Sequence, residues 1–154
     1  MNTKEMKSLK IIGISTITSN NDNQAIEDLG KLWHQFFGEN IIQKIPNAIS
    51  PNIYAIYTDY ESNFKGKYTT IIGLEVSSLD NIPDGMVGRE FQPQTFKQYL
   101  SKGELHQAVG ETWQKIWNDD ANLNRTYLYD YELYTEKAQN PADAEIEIYI
   151  GIKD

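Results

Sequence analysis

The sequence predicts an α+β fold made of two successive strand-helix-strand-strand units related by a pseudo-twofold axis, with antiparallel sheets flanked by two helices and a cleft between the halves. Three matches within the chain predict it. Gly30-x-x-Trp33-x-x-Phe36-Phe37 parallels Gly110-x-x-Trp113-x-x-Ile116-Trp117. Tyr54-Ala55-Ile56-Tyr57-Thr58-Asp59 parallels Tyr131-Glu132-Leu133-Tyr134-Thr135-Glu136. Ile71-Ile72-Gly73-Leu74 parallels Ile148-Tyr149-Ile150-Gly151, and a one-residue shift restores the Ile-Gly pair. The matches keep their order, which is the signature of an internal duplication. The repeats are expected at about 9–77 and 95–153, within a single domain spanning 1–154, an ordinary size for one core.

Each element has a local cause. Leu9 to Thr18 is rich in Ile and Thr and reads as a strand. Asn20 to Asn23 is a turn-and-cap cluster, after which Ile26, Leu29, Trp33, Phe36 and Phe37 recur at helical spacing until Gly38 and Asn40. Asn47 to Asn52 contains a proline and reads as a loop between Pro46 and the next strand. Ile53 to Tyr60 and Tyr68 to Ser77 are β-rich, and Asn63 to Lys67 closes them into a hairpin. Asn81 to Gly88 reads as the connector between halves. Thr95 to Leu100 reads as a strand ending at Gly103. Leu105, Val109, Trp113 and Ile116 then mark one face of a second helix. After a polar loop, Asn118 to Asn124, the last strands are expected at Arg125 to Glu136 and Ala144 to Lys153, joined through Pro141.

Composition narrows the function classes. There are no cysteines, which excludes disulfides, thiol nucleophiles and cysteine-held metals. The net charge of -8 opposes direct binding to nucleic acid and could favour a cationic ligand. Met1 to Lys10 is polar and basic without an apolar run, and no later stretch suits a membrane span, so a cytoplasmic location without membrane partners is expected. Phosphate-loop, dinucleotide and nucleophile-elbow motifs are lacking. His34 and His106 have no second histidine at ligand spacing, and Asp143, Glu145 and Glu147 lack the spacing of a calcium loop. No metal or cofactor is expected.

The candidate site comes from strand parity. Ile146, Ile148, Ile150 and Ile152 alternate with Glu145, Glu147, Tyr149 and Lys153, so the isoleucine face packs inward and Glu147 with Tyr149 faces elsewhere. Glu132 and Tyr134 likewise share one face of the preceding strand. If the two strands pair as a hairpin, Glu132, Tyr134, Glu147 and Tyr149 can lie on one side, a carboxylate pair framed by rings that suits a cation or a flat aromatic molecule. A solvent-facing strand is the plain alternative. Trp113 is the tryptophan best placed to reach a groove, and Tyr57 is assigned to the ligand site with it.

Thr112-Trp113-Gln114-Lys115-Ile116-Trp117, Tyr131-Glu132-Leu133-Tyr134, Pro141 and Glu145 to Lys153 resemble the gyrase-inhibitor-like effector-binding domain, which also occurs fused to AraC-type and MerR-type bacterial transcription regulators. Gly66 to Thr69 and Ile72 to Val76 extend the resemblance over nearly the whole chain. It implies tandem strand-helix-strand-strand units around a central cleft. It also implies binding of cationic or aromatic organic compounds through a glutamate of the penultimate strand, where Glu132 falls, with Glu147 and Tyr149 as an acidic and aromatic pair in the final strand. Gly151 departs from the proline of many relatives. With no room for a fused helix-turn-helix domain, a stand-alone member is expected. The leading expectation is therefore a small-molecule binding protein. The alternatives are a hydrolase using Glu132 and Glu147 as acid and base, or an interaction module for gyrase or a separate regulator.

Overall fold

The structure is a computed structural model and describes residues 3–5, 8–21, 24–63 and 65–153. Asp22 and Asn23 of the expected cap cluster and Phe64 of the expected hairpin lie outside the described residues. In chain order the elements are β1 (Thr3–Glu5), β2 (Leu9–Ser19), α1 (Gln24–Gly38), α2 (Ile41–Lys44), β3 (Ala48–Thr58), β4 (Lys67–Val76), β5 (Val87–Phe91), β6 (Thr95–Gly103), α3 (Leu105–Asn118), α4 (Asp120–Leu123), β7 (Tyr129–Tyr134) and β8 (Ala144–Ile152). A single 3-10 turn, Glu136–Ala138, follows β7.

All strands join one antiparallel sheet in the order β1-β6-β8-β7-β3-β4-β2-β5. The first unit, β2-α1-β3-β4, contributes three adjacent strands, and the second, β6-α3-β7-β8, contributes the mirror set. They meet where β3 pairs with β7, with Ile53 opposite Tyr134, Ala55 opposite Glu132 and Tyr57 opposite Asp130. The third internal match needs a correction of register. Ala55 faces Ile72 across β3 and β4, and Glu132 faces Ile148 across β7 and β8. The structural counterpart of Ile72 is therefore Ile148, and Gly73 answers to Tyr149, not to Gly151.

Alternation along the strands divides the sheet into two apolar faces. On one face Ile12, Ile14, Ala55, Ile72 and Leu74 pack under Leu32 and Phe36 of α1, while Ile146, Ile148 and Ile150 pack with Ile116 of α3. Burying each isoleucine of β8 contributes about 1.5–3 kcal/mol. On the other face Ile11, Tyr54, Ile56, Ile71, Phe96, Tyr131 and Tyr149 form a second cluster. Strands covered on both faces read as near-continuous apolar runs, as in Ile11 to Ile14 and Ile71 to Leu74. Gly13 and Gly73 stand opposite one another in β2 and β4. A Cβ on Gly13 would lie 2.1 Å from the Ile72 carbonyl oxygen, so the close approach of these strands requires glycine there.

Several boundaries differ from the sequence expectation. The stretch expected as a loop at Asn47 to Asn52 belongs mostly to β3, with an irregular register between Ala48 and Ile53 that accommodates Pro51. The connector between the halves carries the edge strand β5, paired with β2. The strand expected from Arg125 begins only at Tyr129, because Asn124 and Tyr127 adopt positive φ and interrupt the extended chain.

Candidate functional site

Each helix lies over its own half of the sheet, and the space between them opens above the β3–β7 seam. This is a cavity of about 1760 Å³. Ile53, Tyr57, Glu132 and Tyr134 form its floor. Trp33 and Phe37 of α1 and Val109, Trp113 and Trp117 of α3 stand along its walls, and Tyr60, Tyr68 and Arg125 close one end.

Glu132 is the acidic centre of the floor. It is 3% exposed, yet it belongs to the cavity lining. Trp113 donates its indole N–H to Glu132 Oε2 at 2.6 Å, and the Tyr134 hydroxyl donates to Oε1 at 2.7 Å. The Tyr57 hydroxyl is a third donor. Burial pushes the Glu132 carboxyl above its ordinary range, and the hydrogen bonds from Tyr134, Trp113 and Tyr57 draw it partly back. Among the described residues, Glu132 makes no ion pair. Its charge is therefore held by neutral donors, an arrangement that leaves it free to balance a cation entering the cavity.

Rings continue outward from this carboxylate. Trp33 meets Tyr134 edge-on at 5.0 Å, and Trp113 meets Tyr57 at 5.4 Å and 80°. Tyr57 in turn contacts Tyr68, which contacts Tyr60. Such offset and edge-on arrangements are the favoured geometries of aromatic packing and present ring faces and edges to the cavity.

At the far end, Arg125 and Asp130 form a buried pair, 2.7 Å apart, with side-chain exposures of 1% and 0%. Asp130 also accepts the Tyr60 hydroxyl and the Gly151 amide, tying β7 to β8. Arg125 lies 4.2 Å from the centre of the Tyr127 ring and reaches Asp120 at 3.2 Å. The two terminal nitrogens of Arg125 are thus paired with carboxylates, while its buried Nε has no hydrogen-bond partner among the described residues, and the network braces the end of the cavity.

Of the residues expected at the site, Glu132, Tyr134, Trp113 and Tyr57 come together. Glu147 and Tyr149 do not join them. The β7–β8 register sets Ile148 opposite Glu132, and pairs Leu133 with Glu147 and Tyr131 with Tyr149, so Glu147 and Tyr149 point to the other face of the sheet. Glu147 borders the cavity where it opens past the end of β7, but its carboxylate accepts from Tyr149 and Gln98 on that second face. The carboxylate pair expected from hairpin pairing is absent because both glutamates are not at the same parity. Trp33, Tyr60, Tyr68 and the Arg125–Asp130 pair were not singled out from the sequence. Trp33 carried a signal, its repeat equivalence to Trp113. The pairing of Arg125 with Asp130 carried none, since nothing in the sequence shows the chain turning at Asn124 and Tyr127.

Comparison with known proteins agrees with this architecture. The family described as Cass2, integron-associated effector binding protein, matches residues 3–152. The Bacillus subtilis protein YobU, which bears the name of a transcriptional regulator protein, is 29% identical over 147 residues, covering 94% of this chain and 92% of YobU. The transcriptional regulator BrlR of Pseudomonas aeruginosa is 24% identical over 132 residues; the match covers 82% of this chain and 47% of BrlR, about half its length. Among solved structures, the Vibrio cholerae integron cassette protein VCH_CASS2 superposes with a TM-score of 0.74 at 24% identity, over 99% of this chain and 95% of that one. SAV2435, solved bound to tetraphenylphosphonium, superposes with a TM-score of 0.81 at 16% identity, over 99% and 93%. The resemblance to gyrase-inhibitor-like effector-binding domains thus extends to the backbone. Because the family match spans both repeat units and the β3–β7 seam that carries Glu132, the chain belongs to the Cass2 family of integron-associated effector-binding proteins.

Proposed function

We propose that this protein is a receptor for a lipophilic organic cation with aromatic groups, held with its charge toward Glu132 and its rings among Trp33, Tyr57, Trp113 and Tyr134. The observation that carries the reading is Glu132 itself: a buried carboxylate on a cavity floor, served by neutral donors and, among the described residues, without a cationic side chain to balance it. Ionising it there costs free energy, and a ligand cation offsets that cost while gaining contact with ring faces. The cavity exceeds the usual 300–1,000 Å³ of a ligand pocket, which favours bulky or varied ligands over one small metabolite. Tetraphenylphosphonium on SAV2435 is a compound of this class on a related fold.

The names of YobU and BrlR suggest transcription regulation as the setting. With a net charge of -8, this protein would act there through a protein partner in the cytoplasm and not by gripping DNA. The hydrolase alternative has less support, because the register turns Glu132 and Glu147 to opposite faces of the sheet and Glu147 accepts from Tyr149 and Gln98.

The test is a thermal-shift panel of lipophilic cations, neutral aromatics and neutral aliphatics, with mass analysis of each stabilising compound. The reading expects lipophilic cations to stabilise most and to be recovered unchanged. Binding to the native state alone contributes about 2.7 kcal/mol at 100 times the dissociation constant. Stabilisation by neutral aliphatics alone, or turnover of the compound, contradicts it.

A further inference from the structure

Glycine is, after proline, the poorest helix former, because it gives up the most backbone freedom and contributes no side chain. Yet α1 and α3 each carry one well inside the helix, Gly30 and Gly110. They occupy equivalent places in the internal repeat, three residues before Trp33 and Trp113. Neither has a steric reason to be glycine: neither shows a positive φ, and a Cβ built on either meets nothing within 4 Å. This differs from Gly13 and Gly73, where backbone atoms leave no room. Both Gly30 and Gly110 border the cavity, one on each helix wall.

The folded protein therefore keeps, at two symmetric places, a residue that weakens its helix and that no neighbouring atom demands. What the pair provides is width: a stretch of bare backbone on each wall, beside the tryptophan that contacts the ring system around Glu132. We infer that Gly30 and Gly110 are specificity-determining positions that set the breadth of the cavity and admit multi-ring ligands. The inference rests on the receptor reading above and adds to it the size class of the ligand.

The experiment compares the wild type, Gly30→Ala, Gly110→Ala, the double variant and Glu132→Gln against two permanent cations, tetraphenylphosphonium with four rings and phenyltrimethylammonium with one. Without ligand, each alanine raises the melting temperature by about 2–4 °C, the gain expected for a better helix former in a domain of this size. The double variant binds tetraphenylphosphonium roughly tenfold more weakly, the scale of an overpacked contact. Its affinity for phenyltrimethylammonium stays within about twofold, since one methyl group at each wall leaves room for a single ring. Glu132→Gln weakens both probes alike, which separates charge from width. Higher melting temperatures with tetraphenylphosphonium affinity unchanged overturn the inference and leave the receptor reading intact. Equal weakening of both probes by the alanines also overturns it, as does a fall in melting temperature, which would give the glycines a structural role. A wild type that binds neither probe contradicts the receptor reading and the inference together.

Discussion

Ala55 and Glu132 stand directly opposite one another across the β3–β7 seam, and each is also the other's counterpart in the internal repeat. Only a pair on the pseudo-twofold axis can be both. The duplication is broken there by a charge. Opposed residues in an antiparallel pair have Cβ atoms about 4.5–5.5 Å apart, so a symmetric pair of glutamates would force one to stay protonated. One carboxylate facing a methyl group keeps a single acid in the middle of the cavity floor, with donors from both halves, Tyr57 from the first and Trp113 and Tyr134 from the second.

The protonation of Glu132 gives a pH prediction. Burial raises its folded-state pKa above the unfolded value. A raised pKa means a contribution to stability that is complete below the unfolded value and lost as pH rises through the folded one. Melting curves of wild type and Glu132→Gln, scanned from about pH 4 to about pH 8, should diverge as pH rises, with the glutamine protein gaining relative to wild type. Wild-type affinity for a permanent cation should increase over the same range. Parallel curves would mean that Glu132 is not the titrating group.

Trp113→Phe keeps a ring on the wall and removes the N–H that Glu132 accepts. It should cost about 1.5–3 kcal/mol of stability, the range for a hydrogen bond to a charged group, and move the pH transition just described upward. Chemical denaturation at neutral pH, with the same pH scan, checks both. An unchanged transition would show that the indole does not tune the carboxylate.

At the closed end of the cavity, Asp130→Asn retains the shape of the side chain but leaves buried Arg125 with, among the described residues, the partly exposed Asp120 as its remaining counter-charge. Breaking one partner of a buried pair costs about 3–5 kcal/mol. The denaturation midpoint should fall accordingly. A loss below about 1 kcal/mol, the level of an exposed pair, would show that the network is not a structural brace.

Much of the fold was legible because apolar periodicity survives duplication. The isoleucines of β8 and the Gly-x-x-Trp pattern of both helices each imply an element and, taken together, the repeat. The short elements were not legible: α2 and α4 are four residues each, too short to show a period, β5 is defined by its pairing with β2, and β3 runs through Pro51 against local preference. Within the site, Glu132, Tyr134, Trp113 and Tyr57 were readable from the repeat and from parity. Glu147 and Tyr149 were misplaced for one reason. Parity within a strand follows from sequence, whereas the register between β7 and β8 depends on the connection between them, and a slip of one residue moves every side chain to the other face.

The charge of Glu132 is the centre of this account, and isothermal calorimetry on Glu132→Gln tests it most directly. The variant should fold with equal or higher stability. It should bind tetraphenylphosphonium about 1–3 kcal/mol more weakly than wild type, the coulombic scale for two unit charges several ångströms apart at an effective dielectric constant of about 20, while a neutral aromatic compound of similar size loses much less. Equal losses for the two ligands would contradict the account, because Glu132 would then shape the cavity without reading charge; unchanged affinity for both would place the binding site elsewhere.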